Sequence, residues 1–171
     1  MYHQKPFEKT EVVIWDWNGT LLDDLEVSIG AMNAMLAKRG YDLLEPGRYR
    51  EIFTFPVKDY YRAAGVNFDK HEWDSVAMEF IDNYRLKVVQ SKLHASAGMM
   101  IGYLKERGYR QFILSAMQQQ FLKETIGIRI DINVFEKVVG LNNHYAATKA
   151  ENARLLVDEL NIDRQKIVMI G

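Results

Sequence analysis

The chain has no cysteine, which excludes disulfides, thiolate zinc sites and thiol nucleophiles together. A reducing compartment suits such a chain, and a cytoplasmic location is expected. No apolar run approaches about 18 residues, so no membrane-spanning helix and no membrane partner are expected. The first ten residues include Lys5, Glu8 and Lys9 and lack the apolar stretch of a signal peptide. Repeats with a period of about 20–50 residues and low-complexity tracts are absent from the sequence. So is an excess of either charge. The 22 basic and 23 acidic side chains give a formal net charge of -1, which supports no nucleic-acid partner. No G-x-G-x-x-G follows a strand, which sets aside a dinucleotide-dependent dehydrogenase, and no G-x-x-x-x-G-K phosphate loop occurs.

What is present is a 171-residue chain, 48% apolar. That length buries roughly two-thirds of its unfolded surface, enough for one core and a small appendage. The chain is organised around the run from Val12 to Asp24. Val12-Val13-Ile14-Trp15 is apolar at every position, as expected of a parallel strand covered on both faces. Asp16 follows where that strand ends, the place where open α/β sheets bind ligands. Gly19 supplies a tight turn, and the Thr20 hydroxyl lies beside backbone N–H groups suited to an anion. A carboxylate at Asp16 can act as nucleophile, hold a hard cation through oxygen, or cap the next helix.

Downstream, apolar spacing and stop signals predict helices over 25–39, 46–53, 56–64 and 70–89, with Asp23 or Asp24 capping the first turn of the first. No strand is expected between Asp24 and Ser91, and a helical block of that length is too long for a crossover, so it reads as an inserted subdomain. A helix over 97–108 follows, with Met100, Ile101 and Leu104 inward. Then comes a short strand, Gln111–Leu114, ending in Ser115-Ala116-Met117. A helix from about Gln118 to Ile126 would point its positive end at the same place. Val134–Val139 reads as a strand toward the sheet edge, and Gly140–Tyr145 as a loop. Thr148 is a candidate N-cap, with Glu151 completing a capping box, for a helix to Leu160. Lys149 in its first turn opposes the helix dipole, a misfit that an anionic partner would explain. Ile167–Ile170 is again a buried strand, running to Gly171.

Asp16-Trp17-Asn18-Gly19-Thr20 resembles the first motif of the haloacid dehalogenase superfamily of phosphohydrolases, of the phosphoglycolate-phosphatase and β-phosphoglucomutase kind. The resemblance covers nearly the full chain, with three of four motifs in order. It implies an α/β fold: a three-layer Rossmann-like core with a parallel sheet, formed by residues 1–23 and 93–171, and an inserted helical cap, residues 24–92. By the same resemblance Asp16 is the residue phosphorylated during turnover. Ser115 and the amide of Ala116 hold the phosphoryl group, as do Gly19 and Thr20, and Lys149 contacts both phosphate and nucleophile. Mg²⁺ is the implied cofactor, held by Asp16 and the backbone carbonyl of Asn18. The helical cap closes as a lid and supplies specificity, with Arg50 and Lys58 near Phe55-Pro56-Val57 as substrate-facing candidates. The partner is a small phosphorylated metabolite, and a monomer or weak dimer is expected.

Two departures accompany the resemblance. Asn18 stands where most phosphatases of the family carry an Asp general acid and base, and an amide cannot exchange that proton, a transfer typically worth ~10²–10⁴-fold. Three outcomes stay open: a substrate with a good leaving group, such as an acyl or aryl phosphate; a stand-in residue, with Asp24, His94 and His144 as poor candidates; or slow or absent turnover. The fourth motif is present only as Gly171, without the acids that complete a Mg²⁺ site, which suggests a truncated C-terminus. Within the family, Gly19-Thr20 favours phosphate chemistry over dehalogenation. Lys38 and Lys58 lack the burial expected of a phosphonatase Schiff base, and Asn18 counts against a mutase. The reading is a Mg²⁺-dependent phosphatase acting on a small phosphomonoester through a phosphoaspartate. The alternative is a catalytically weak or inactive phosphate-binding module on the same fold.

Overall fold

The computed structural model describes residues 9–141 and 149–171. The expectations for Thr148 as an N-cap, for His144 and for Lys5 and Glu8 lie outside these residues. The described chain falls into two compact units, one of residues 9–23, 93–141 and 149–171 and one of residues 24–92.

The first unit is a parallel four-stranded sheet between helices. Its strands are β1 (Val12–Trp15), β4 (Arg110–Gln118), β5 (Lys137–Leu141) and β6 (Ile167–Ile170), in the order β5-β4-β1-β6. A separate two-stranded sheet pairs β2 (Leu22–Asp23) with β3 (Lys92–Leu93), where the chain leaves and rejoins the core. β1 is buried at all four positions because it has a neighbour on each edge and cover on each face. Val12 and Ile14 face one way with Phe112 and Leu114, and Leu156 of α7 (Lys149–Leu160) packs on them. On the opposite face Trp15 Nε1 donates to Gln111 Oε1 at 3.0 Å, and Gln111 Nε2 donates to the Ile101 carbonyl of α5 (Ala97–Glu106) at 2.9 Å. The buried amide of Gln111 thus fastens a helix to the sheet with both of its polar ends satisfied.

Several boundaries differ from the sequence expectation, each for a reason of packing. β4 does not stop at Leu114 but continues to Gln118, with a register shift against β5 between those residues: Leu114 pairs with Val139 and Gln118 with Leu141. Four steps on β4 oppose two on β5, a bulge that bends the strand and re-aims its side chains. β5 begins later than expected, because Ile132–Val134 is a 3₁₀ turn, and it includes Gly140 rather than ending before it. A Cβ at Gly140 would lie 2.7 Å from the Met117 carbonyl oxygen, so glycine here marks close backbone approach, not a loop. Met100 is exposed, since Ala97, Ile101 and Leu104 form the inward stripe of α5. β6 is only half-buried, with Met169 exposed, because it pairs with β1 alone.

The second unit is helical: α1 (Leu25–Lys38), α2 (Pro46–Ile52), α3 (Val57–Ala63) and α4 (Trp73–Val88). α4 starts later than the expected Lys70, because residues 69–72 form a turn and bend in which Asp69 N–H bonds to Asn67 Oδ1. Asp24 occupies the N-cap position of α1 without a capping bond from its side chain. It is buried and instead accepts a 2.5 Å hydrogen bond from the Tyr84 hydroxyl. The interior is aromatic, with Tyr49, Phe53, Tyr60, Tyr61 and Trp73 in successive edge and tilted contacts 5.3–5.6 Å apart. Such pairs add about 0.5–1.5 kcal/mol each beyond area burial.

Candidate functional site

From β1 the chain moves to β4 and β5 on one side, and β6 returns on the other. That reversal of strand order opens a crevice at the carboxyl end of β1. Asp16 is the first residue beyond it, with its own N–H bonded to the Ile170 carbonyl of β6 at 2.8 Å. Both carboxylate oxygens are held: Oδ1 accepts the Trp17 N–H at 2.7 Å, and Oδ2 accepts from Lys149 Nζ at 2.5 Å. The side chains of Asp16 and Lys149 remain 23% and 20% exposed, so the pair is partly shielded from water yet reachable by a solute. Gly171 lies against the carboxylate; a Cβ there would sit 3.0 Å from Asp16 Cβ.

The residues after Asp16 form a tight, self-bonded turn. The amides of Thr20, Leu21 and Leu22 donate to the Trp17 carbonyl at 3.3, 3.1 and 2.9 Å, and Gly19 N–H donates to the Leu22 carbonyl at 3.0 Å. Gly19 adopts φ +70, the left-handed region that suits glycine. The amides of Gly19 and Thr20 are therefore engaged within the turn. The bulge in β4 carries Ser115, which is fully buried. Its hydroxyl donates to Asn18 Oδ1 at 3.1 Å and accepts the Met117 N–H at 3.0 Å. Ala116 lies between, half-buried.

Four of the expected residues, Asp16, Asn18, Ser115 and Lys149, are thus linked in two bonded pairs at one end of one sheet, from three separate segments of chain. Arg50 and Lys58 belong to the helical unit. Arg50 is exposed on α2, and Lys58 Nζ lies 5.3 Å from the Phe68 ring centre and 5.7 Å from that of Trp73, a cation–π arrangement. Of the stand-in acids, Asp24 is buried in the helical unit with Tyr84, and His94 Nδ1 lies 3.9 Å from Asp23 Oδ2. The sequence reading missed the partners that orient the site, namely the Trp17 and Met117 amides and the Ile170 carbonyl. They are backbone groups, which no residue identity announces.

For a hard cation the described residues at this strand end offer one carboxylate, Asp16, and the backbone carbonyl of Asn18 is the second donor that the resemblance implies. Among the described residues, no three His, Cys, Asp or Glu side chains gather as a ready ligand set. A partial set of oxygen donors is what Mg²⁺ commonly uses, since it keeps several waters and binds through one or two carboxylates plus substrate phosphate. The donors present fit that ion and would not make a closed cage for it.

A family model for the haloacid dehalogenase-like hydrolases matches residues 13–171. The N-acetylmuramic acid 6-phosphate phosphatase of Pseudomonas aeruginosa is 24% identical over 167 residues, which are 95% of this chain and 74% of that protein. A haloacid dehalogenase-like family hydrolase from Streptococcus pneumoniae superposes with a TM-score of 0.79 at 14% identity, over 95% of this chain and 76% of that one. A haloacid dehalogenase-like hydrolase from Bacteroides fragilis gives 0.79 at 15% identity, over 94% and 77%. At these identities the two solved structures speak for the fold alone.

Proposed function

The chain belongs to the haloacid dehalogenase-like hydrolases, and from that membership we propose that it is a phosphoric monoester hydrolase whose covalent nucleophile is Asp16. The observation that carries this reading is the 2.5 Å contact between Lys149 Nζ and Asp16 Oδ2, made across the chain at the crevice of a parallel sheet. An anionic substrate approaching a bare carboxylate meets repulsion of about 4 kcal/mol per charge pair at ~4 Å and an effective dielectric of ~20. The Lys149 ammonium offsets that repulsion, and its remaining N–H donors can reach an equatorial phosphoryl oxygen. The Trp17 amide holds the carboxylate plane, so one oxygen is presented in a fixed direction. In the first step an Asp16 oxygen forms a bond to phosphorus while the bond to the leaving oxygen breaks. In the second, water attacks phosphorus and the aspartyl oxygen departs.

Mg²⁺, held by Asp16 and the Asn18 carbonyl, would supply further neutralisation of the phosphoryl charge. Residues 1–23 and 93–171 serve as the catalytic core. Residues 24–92 serve as the lid that sets specificity, with Arg50 and Lys58 as its candidates for binding substrate. The substrate is a small phosphomonoester, and the protein acts in the cytoplasm as a monomer or weak dimer. Among the described residues no helix is long and apolar enough to cross a membrane.

A second reading, a catalytically weak or inactive phosphate-binding module, is favoured by one observation: Asn18, bonded to Ser115, is an amide that exchanges no proton. Turnover of an aryl phosphate with added Mg²⁺ separates the two. The hydrolase reading expects metal-dependent turnover that falls by ~10⁴-fold or more in Asp16→Asn. An absence of metal-dependent turnover, with phosphate binding alike in parent and variant, would decide for the binding module.

A further inference from the structure

We propose that this site accepts phosphoryl donors whose leaving oxygen departs as a stabilised anion, meaning aryl, enol or acyl phosphates, and then releases the phosphoryl group from Asp16 to water slowly. The inference rests on the hydrolase reading and names the substrate class of that same site.

Expelling an alkoxide demands that a proton reach the leaving oxygen as its bond to phosphorus breaks, and four side chains gather here to provide one. Asp16 is the attacking group. Lys149 is bonded to Asp16 Oδ2 at 2.5 Å, which places it beside the attacking oxygen. The leaving oxygen lies on the far side of phosphorus, roughly in line with the attack. Ser115 is fully buried, with its hydroxyl proton directed to Asn18 Oδ1 and its lone pair taken by the Met117 amide. Asn18 has its carbonyl end fixed by that same bond, and the amide nitrogen can donate a hydrogen bond without surrendering a proton.

With these four described side chains the balance closes only for one class of donor. The Asp16 oxygen forms its bond to phosphorus, the ester bond breaks, and the leaving oxygen keeps the electron pair with no proton supplied. Aryl, enol and acyl oxygens carry that charge by delocalisation, and a simple alkoxide does not. In the second step water adds to phosphorus as the aspartyl oxygen leaves, and water's proton ends on the product phosphate. No side chain among these four draws that proton off, so the covalent intermediate lives long.

The test is a leaving-group series run with the whole chain in Mg²⁺ buffer, from primary alkyl esters such as N-acetylmuramic acid 6-phosphate to aryl and acyl phosphates, with Asn18→Asp beside the parent. Expected for the parent are a steep rise of kcat/KM with leaving-group acidity and a burst of about one phenol per chain in rapid mixing. Asn18→Asp, nearly isosteric and checked for an unchanged melting transition, should flatten the series by raising the alkyl esters ~10²–10⁴-fold more than the aryl ones, and should remove the burst. A parent series that is already flat overturns the inference and leaves the hydrolase reading standing, with His94 the next group to test. An Asn18→Asp variant that raises all esters equally overturns it as well. No turnover of any ester by either protein overturns the hydrolase reading itself, and the inference with it.

Discussion

Asp16 and Asp24 lie in the same segment of sequence, yet the structure treats their carboxylates in opposite ways. Asp16, in the core unit, keeps 23% of its side chain exposed and is oriented by a backbone amide and an ammonium. Asp24, in the helical unit, is buried and bonded to a phenol. The contrast extends to the units as wholes. At the core site polar groups from three separate chain segments meet in defined pairs, which is the arrangement chemistry requires. The helical unit holds its polar atoms among aromatic rings, where a hydroxyl is a structural liability unless it finds a partner. Tyr60 Oη is buried without one.

The sharpest way to test the distinction is to remove the ammonium. Lys149→Ala should lower kcat/KM by about 10²–10³-fold, the usual loss for one stabiliser of transition-state charge. It should cost about 1–2 kcal/mol in denaturant unfolding, because the pair is only about a fifth exposed and Asp16 loses a charged partner while water still reaches it. A large loss of stability with modest loss of rate would make the pair structural, like Asp24 with Tyr84.

The helical unit should answer to alkali instead. Burial, the largest cause, together with the Asp24 charge, outweighs the bond to Ser28 and pushes the Tyr49 phenol up to about 12. Burial, again the largest cause, also drives Tyr60 and Tyr61 upward. A phenol raised in the folded state stabilises fully below its unfolded value of about 10, and that contribution is lost as pH climbs toward the folded value. From pH 10 to 12 the loss attributable to Tyr49 is on the order of 2 kcal/mol, read as a falling denaturant midpoint by circular dichroism. A midpoint flat to pH 12 would mean that these rings are far wetter than their packing implies.

The smallest effect has an unusual sign. Tyr60→Phe deletes a buried hydroxyl that has no partner, so it should be neutral or stabilising by up to about 1 kcal/mol. Destabilisation beyond that in a thermal melt would reveal a bonded hydroxyl.

The parts of the site legible in the sequence were those set by residue type at a strand end. Asp16 after four apolar residues, Ser115 after another apolar run and Lys149 at a helix start all read from local pattern, and the sheet places two of them in contact. What the pattern concealed depends on pairing between distant strands. The bulge that carries Ser115 beyond Leu114 exists because β4 is longer than the β5 segment it faces, and no window of sequence contains both. Gly140 looked like a loop residue because a glycine in a strand is locally indistinguishable from one in a turn. Its role is visible only against the Met117 carbonyl. Asp24 sits where a helix cap belongs, but the Tyr84 hydroxyl, sixty residues away in sequence, claims it instead.

Trp17 has a bearing on how all this can be watched. Its amide holds the Asp16 carboxylate, while its indole is buried, with Nε1 left without a hydrogen-bond partner. Indole emission responds to nearby electric fields, and a phosphoryl group brings about -1.5 to -2 charges. The protein therefore carries its own optical gauge beside the nucleophile, and stopped-flow fluorescence of the unlabelled chain can time the arrival and departure of the phosphoryl group.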